Sequence, residues 1–198
     1  MTCTFLAGGF MTYKHFNNPN RITSVQANYV MPDNLNDLVG NSNYIVIGEV
    51  QNKGNTFRVN LANYVVDSNV KPQDRAAMYL KHTVSNISIT QSLKGDLKEG
   101  DIIEVIQEEL ENIKHEKSVS IKSYSKGDKY IFFLNKFTPQ SEQEIKDYKT
   151  VKYLPINPYQ GEIQINGDKI EIIKEEFPML KNGDAVENVL NQIQESVK

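Results

Sequence analysis

The sequence predicts a mainly β fold, an antiparallel β-barrel followed by a C-terminal β-hairpin and a packed C-terminal α-helix. Three observations carry this reading. Runs rich in β-branched and aromatic residues recur between glycine-aspartate turns from Tyr44 to Leu134. Asn166-Gly167 lies between two short alternating runs, the strongest short-range hairpin signal in the chain. A helical-period apolar stripe closes the sequence, at Val186, Val189, Leu190, Ile193 and Val197.

Taken in order, Asp33 is placed to cap a short helix with Leu35, Leu38 and Val39 on one face. Asp33, Asn34, Asn36 and Asp37 also form an oxygen-rich set, but the glycine and distal glutamate of an EF-hand loop are missing, so the cap is favoured. Tyr44 to Val50 is the clearest strand. Asn52-Lys53-Gly54-Asn55 reads as a hairpin turn, with a second strand from Thr56 to Val66. Pro72 followed by helix formers predicts one or two helical turns between Lys71 and Leu80.

Val84, Ile87 and Ile89 mark the next strand, although Val84 breaks the alternation. Lys94-Gly95-Asp96 and Glu99-Gly100-Asp101 then punctuate the chain. Glycine supplies positive φ without steric cost, and aspartate bonds nearby backbone. Lys94-Gly95-Asp96 also spells an integrin-type tripeptide; a plain turn is favoured because such turns recur. Ile102 to Gln107 is a strand. Gly127-Asp128 introduces another, whose segment Tyr130 to Leu134 is apolar throughout, which predicts a strand buried on both faces or one at the barrel centre. The barrel is expected within residues 42–136. Near the C-terminus, Asp184 and Glu187 have the spacing of a capping box. The final helix then packs on the barrel or serves a partner; the first is favoured because a short helix is marginal alone in water.

Composition sets bounds on function. The 198 residues carry a net charge of −3, with Lys and Glu interspersed, which argues against a nucleic-acid partner. The single cysteine, Cys3, excludes an internal disulfide framework or a cysteine-based zinc site. The three histidines are scattered. Glu108, Glu109, Glu111, His115 and Glu116 carry ligand chemistry, but a solvated charge run is the favoured reading. No catalytic, cofactor-binding or metal residue is assigned, and no cofactor is expected.

Residues 1–32 stand apart from the domain at 33–198, since no acidic side chain precedes Asp33. Thr2 to Tyr13 is apolar and small, too short for the roughly 20 residues of a spanning helix. It matches the length of a signal-peptide core, without the basic segment that should precede one. Val25-Gln26-Ala27 resembles a signal peptidase site. Gly9 stands where a lipobox needs cysteine. The segment reads as an export or anchor remnant, as an ordinary buried stretch or as a flexible leader. The first reading implies an extracytoplasmic protein, secreted or held at the cell surface through this segment.

Three motifs then occur in order: Asn43 to Val50 ending Gly-Glu-Val, Leu93-Lys94-Gly95-Asp96, and Lys126 to Leu134 opening Gly-x-x-Tyr. This order resembles the netrin-like module, the barrel of tissue inhibitors of metalloproteinases and of complement C-terminal domains. It is more similar still to exported proteins of Gram-positive bacteria, over about residues 38–136. The resemblance implies an OB-like closed barrel outside the cytoplasm and carries no catalytic residue across. Metalloproteinase inhibition is not implied, because the animal modules begin with a zinc-chelating cysteine and Cys3 lies far before the first strand.

The function expected is that of a non-enzymatic binding or interaction module of a bacterial surface or secreted protein, with a protein or small-molecule ligand. Tyr148, Tyr153 and Tyr159 flank a proline-marked segment and form the candidate binding surface; tyrosine combines apolar area with a hydrogen-bonding tip, although packing on the barrel is the other reading. The alternative is a hydrolase whose site assembles only in space, for instance around His82. Neither G-x-S-x-G nor H-E-x-x-H occurs.

Overall fold

A computed structural model describes residues 4–6, 10–13, 25–28, 32–60, 78–112, 124–138, 150–157, 160–172 and 180–197. In the acid-free segment, β1 (Thr4–Leu6), β2 (Phe10–Tyr13) and β3 (Val25–Asn28) form a three-stranded antiparallel sheet, and Val25-Gln26-Ala27 falls within β3. The main body begins with α1 (Leu35–Asn41). The strands β4 (Tyr44–Asn60), β5 (Met78–Lys94), β6 (Ile102–Asn112), β7 (Lys129–Lys136) and β8 (Lys152–Pro155) follow. The chain ends with the hairpin β9 (Glu162–Asn166) and β10 (Lys169–Glu171) and with α2 (Val186–Val197).

The expected barrel is present and closed. β4, β5 and β6 form an antiparallel meander, and β7 pairs with the other edge of β4. β8 then pairs with β7, Leu134 opposite Pro155, and with β6, Glu104 opposite Lys152. This gives the cycle β4-β5-β6-β8-β7-β4. Two details differ from the sequence reading. The fifth strand lies beyond residue 136, and its pairing with β6 is parallel, so the barrel is not wholly antiparallel. A parallel partner needs a long connection, and a four-residue strand ending in proline carries little signal of its own. Pro155 is tolerated at the strand end, where its missing N–H weakens the ladder least.

The barrel interior is filled by inward residues such as Val46, Ile87, Val105, Phe132 and Leu134. The outward residues Ile45, Ile47, Ile131 and Phe133 are buried too, under α1, α2 and the β9–β10 hairpin. β7 is therefore apolar on both faces because both faces are covered. The β5–β6 register runs without a break from Met78 to Ser88. Val84 therefore points outward with Ile106 and Ile87 inward with Ile103, which explains the broken alternation.

Asn52-Lys53-Gly54-Asn55 is not a hairpin. β4 passes straight through it, and the pairing moves from Lys53–Ser85 to Thr56–Thr83, so two residues oppose Val84 alone. This is a β-bulge. A Cβ on Gly54 would lie 2.1 Å from the Val84 carbonyl oxygen. Gly54 is required by close approach of two backbones and not by a turn. Gly54→Ala should therefore destabilise the domain by about 1–3 kcal/mol, as forced overpacking does. Urea titration checks this, and an unchanged midpoint would refute the bulge geometry. Of the helical turns expected between Lys71 and Leu80, residues 78–80 are instead the start of β5, and 71–77 lie outside the described residues.

One turn design recurs three times, at Lys98–Asp101, Ser125–Asp128 and Lys181–Asp184. The glycines at the third position have φ of 87°, 89° and 91°. The aspartate carboxylate accepts the backbone N–H three residues back, at 2.8, 3.0 and 2.8 Å. Each turn also exchanges two backbone hydrogen bonds with a buried residue of a strand, Ile89, Val50 and Ile170 respectively. Asp184 is therefore occupied by its turn and does not cap α2, whose ladder starts with Val189 N–H donating to the Ala185 carbonyl. At α1 the cap is Asn34 and not Asp33, with Asn34 Oδ1 accepting from the Asp37 N–H at 2.9 Å. In α2, Val189 and Ile193 are buried and Val186 and Leu190 partly so, whereas Val197 is exposed.

Candidate binding surface at one end of the barrel

At one end of the barrel β4, β6 and β8 begin while β5 and β7 finish. Tyr44 and Tyr153 meet there edge to face, ring centroids 5.3 Å apart. Lys136 stands opposite Tyr153 in the β7–β8 register, and its Nζ lies 5.4 Å from the centre of the Tyr44 ring. That distance suits a cation–π contact. Tyr44, through hydrogen bonding and charge, raises the Lys136 ammonium above its ordinary value. The Tyr153 phenol is raised as well, first by burial and then by Tyr44. Both groups therefore hold their protons at neutral pH.

Beside this pair a polar latch ties β8 to β6. Lys152 Nζ donates to Glu104 Oε2 at 2.6 Å, with side-chain exposures of 6% and 32%. Thr150 accepts from Lys152 and donates to Glu104. Burial pushes the Glu104 carboxyl up, but the hydrogen bonds from Lys152 and Thr150 and the Lys152 charge outweigh it and hold the group below its ordinary value. Ile102 and Val151 flank the latch at the strand starts, 66% and 61% exposed. Among the described residues only Val197 joins them as an exposed large hydrophobic.

Toward the opposite end the interior is filled by an aromatic cluster. Tyr124 is almost fully buried against Tyr130 and Phe132, with ring centroids at 5.1 and 5.8 Å. Its phenol donates to Glu162, and its N–H donates to Gln107 Oε1 at 3.3 Å. The Tyr130 hydroxyl donates to Asp128 Oδ2 at 3.2 Å. Burial first, and then the Glu162 charge for Tyr124 and the Asp128 charge for Tyr130, push both phenols well up. They act as fixed donors that hold this cluster in place.

Of the three candidate tyrosines, Tyr153 is only 7% exposed and forms part of the wall behind this surface. Tyr148 and Tyr159 lie outside the described residues. Sequence reasoning missed Ile102, Lys136 and Val151. Ile102 had one signal: in a half-buried strand, two successive isoleucines cannot both face inward. His82 is fully buried on the outer face of β5, its ring edge-on to Phe137 at 5.9 Å. No group of three or more potential metal ligands occurs among the described residues, and none of their helices is long and apolar enough to cross a membrane. The chain matches no protein-family model and no curated protein.

Proposed function

We propose that the protein is a non-enzymatic binding module of a bacterial surface or secreted protein, built on an OB-type barrel, and that it meets its ligand at the end bearing Ile102 and Val151. The supporting observation is that the strand starts at this end carry two exposed large hydrophobics, and that a cation and two tyrosines meet at the same end. Aromatic, aliphatic and basic groups on one end of a barrel suit recognition.

The strand order supports the OB reading. Counted from β4, the five strands close in the order 1-2-3-5-4-1. OB barrels bind ligands with the face of strands 2 and 3 and with the loops after strands 1 and 4. Here the loop after strand 4 runs from Lys136 to Lys152, so Lys136 and Val151 stand at its two feet and Tyr148 falls within it. The extracytoplasmic location rests on the acid-free N-terminal segment and on the motif order of Gram-positive exported proteins.

Flow cytometry of labelled domain on intact producer cells tests this reading. The double variant Ile102→Asp/Val151→Asp should lose at least about tenfold in binding, as truncated hot spots do. Its melting point should hardly move, because exposed substitutions cost roughly 0.5 kcal/mol or less. Undiminished binding by the variant would show the surface to be wrong. Fractionation that leaves the native protein wholly in the cytosol would end the extracytoplasmic reading.

A further inference from the structure

The chain contains the dipeptide Asn-Gly twice, each time followed by aspartate: Asn166-Gly167 and Asn182-Gly183. An asparagine before glycine can cyclise onto its own backbone, because glycine puts no side chain in the way of the ring. We propose that Asn166 is a site of spontaneous hydrolytic modification in the folded protein, converting to aspartate and isoaspartate, and that Asn182 is held out of the same reaction.

The chemistry has two steps. The Gly167 amide nitrogen loses its proton and attacks Cγ of Asn166. A C–N bond forms, the Cγ–Nδ2 bond breaks, and ammonia leaves with a proton from water. The product is a five-membered succinimide. Water then opens either carbonyl of the ring. Opening at Cγ restores the ordinary backbone, now with an aspartate. Opening at the main-chain carbonyl leaves isoaspartate, whose backbone runs through the former side chain and is one methylene longer. The balance is one water consumed and one ammonia released, with no oxidant, reductant or cofactor.

Both asparagines and both glycines are exposed, so exposure does not separate the two sites. Hydrogen bonding does. At the second site the nucleophile itself is engaged: the Gly183 N–H donates to the Ile170 carbonyl at 3.0 Å. The side chain to be attacked is tied as well, with Asn182 Oδ1 accepting from the Ile172 N–H at 3.1 Å. The pair also sits inside the third glycine-aspartate turn, closed by the Lys181 N–H on Asp184 Oδ2 at 2.8 Å. Ring closure at Asn182 therefore breaks two hydrogen bonds and distorts a turn. The first site is built differently. The β9–β10 ladder ends with the Asn166–Lys169 pair. An antiparallel ladder draws on the N–H and carbonyl groups of paired residues. The Gly167 N–H thus lies beyond the last rung, on an exposed residue at the hairpin tip.

The neighbours of this tip set the consequence. The Asp168 carbonyl accepts the N–H of Val186, the first residue of α2, at 2.9 Å, and Lys169 bridges to Ala185. A methylene inserted between residues 166 and 167 displaces the tip and loosens the start of α2.

The test ages the full chain at physiological temperature and mildly alkaline pH. Peptide separation with mass spectrometry then resolves aspartate from isoaspartate at each site. In the folded protein Asn166 should convert at least about tenfold faster than Asn182, the scale of breaking one or two hydrogen bonds before reaction. In denaturant the two sites should react alike. Asn166→Gln should stop conversion at residue 166, since glutamine needs a larger ring, and the exposed substitution should leave the melt in place. The purified isoaspartyl form should exchange the Val186 amide hydrogen faster than the unmodified protein, as a locally loosened segment does. No conversion at Asn166, equal rates at the two sites in the folded chain, or a rate gap that persists in denaturant would overturn the proposal. Unchanged Val186 exchange in the isoaspartyl form would overturn the link to α2.

Discussion

Ile193→Ala is expected to lower the stability of the domain by about 2–5 kcal/mol, the cost of truncating a fully buried isoleucine. Ile193 is 0% exposed and lies in the same apolar cluster as Leu38, Ile131 and Phe133. It fastens α2 to the outer face of the barrel sheet, where α1 and the β9–β10 hairpin also pack. A 12-residue helix is marginal in water without such packing. The loss is thus a large part of the roughly 5–15 kcal/mol that holds a domain of this kind together. Leu190→Ala, at a partly buried position, should cost less. Val197→Ala should be nearly silent, because the outer end of the stripe is in solvent. Thermal melts of the three variants check the order. An unchanged melt for Ile193→Ala would mean that the stripe serves a partner and not the barrel.

Glu104→Ala should be nearly as damaging, at about 3 kcal/mol, the low end for removing one partner of a buried ion pair. The low end applies because a third of the Glu104 side chain remains exposed, whereas Lys152 is 6% exposed and would be left as a buried, unpaired charge. Replacing both partners, Glu104→Leu with Lys152→Met, should recover most of the loss, since no charge is then stranded. The latch also sets an acid dependence. The Glu104 carboxyl is held below its ordinary 4.5 in the folded state, so its contribution is complete above that value. It fades as the pH falls through the lower folded-state value, where the unfolded chain binds the proton more readily. Denaturation at a series of acid pH values should show this fading in the native protein and not in the double replacement. Parallel pH curves for the two proteins would sink the assignment.

These two sites differ in how far the sequence announced them. The α2 stripe was legible because a helix repeats its buried face within a few residues. β7 was legible because burial on both faces leaves a continuous apolar run, and the β9–β10 turn because Asn-Gly has few other uses. The latch was not legible. Glu104 and Lys152 are 48 residues apart, and only the register of a parallel pair brings them together. The same holds for Ile102, Lys136 and Val151, which come from different strands or their approaches. Asn52-Lys53-Gly54-Asn55 misled for a different reason. A turn and a bulge draw on the same small, polar residues, and the choice depends on whether Val84 lies opposite. Asp33 and Asn34 are both good caps, and which one serves depends on a single residue of phase. Tyr153 was singled out for its chemistry and proves to be largely buried, behind the surface now proposed.

The parallel pairing of β6 with β8 also fixes the order in which the molecule can assemble. The β4–β5 and β5–β6 contacts join neighbouring strands, and the three glycine-aspartate turns each close within four residues. These can form early, because little chain entropy is lost in closing them. Closure of the barrel is a remote event by comparison, and it waits for β8 to be made. A chain that emerges from the ribosome only as far as Lys136 already holds four of the five strands. It still presents open edges on β6 and on the outer side of β7. Open edges recruit other chains. β8 covers only Leu134 to Lys136 of β7, and β9 covers Lys129 to Phe132. The time needed to synthesise residues 137–166 is therefore the interval in which this protein is most exposed to pairing with a second copy of itself.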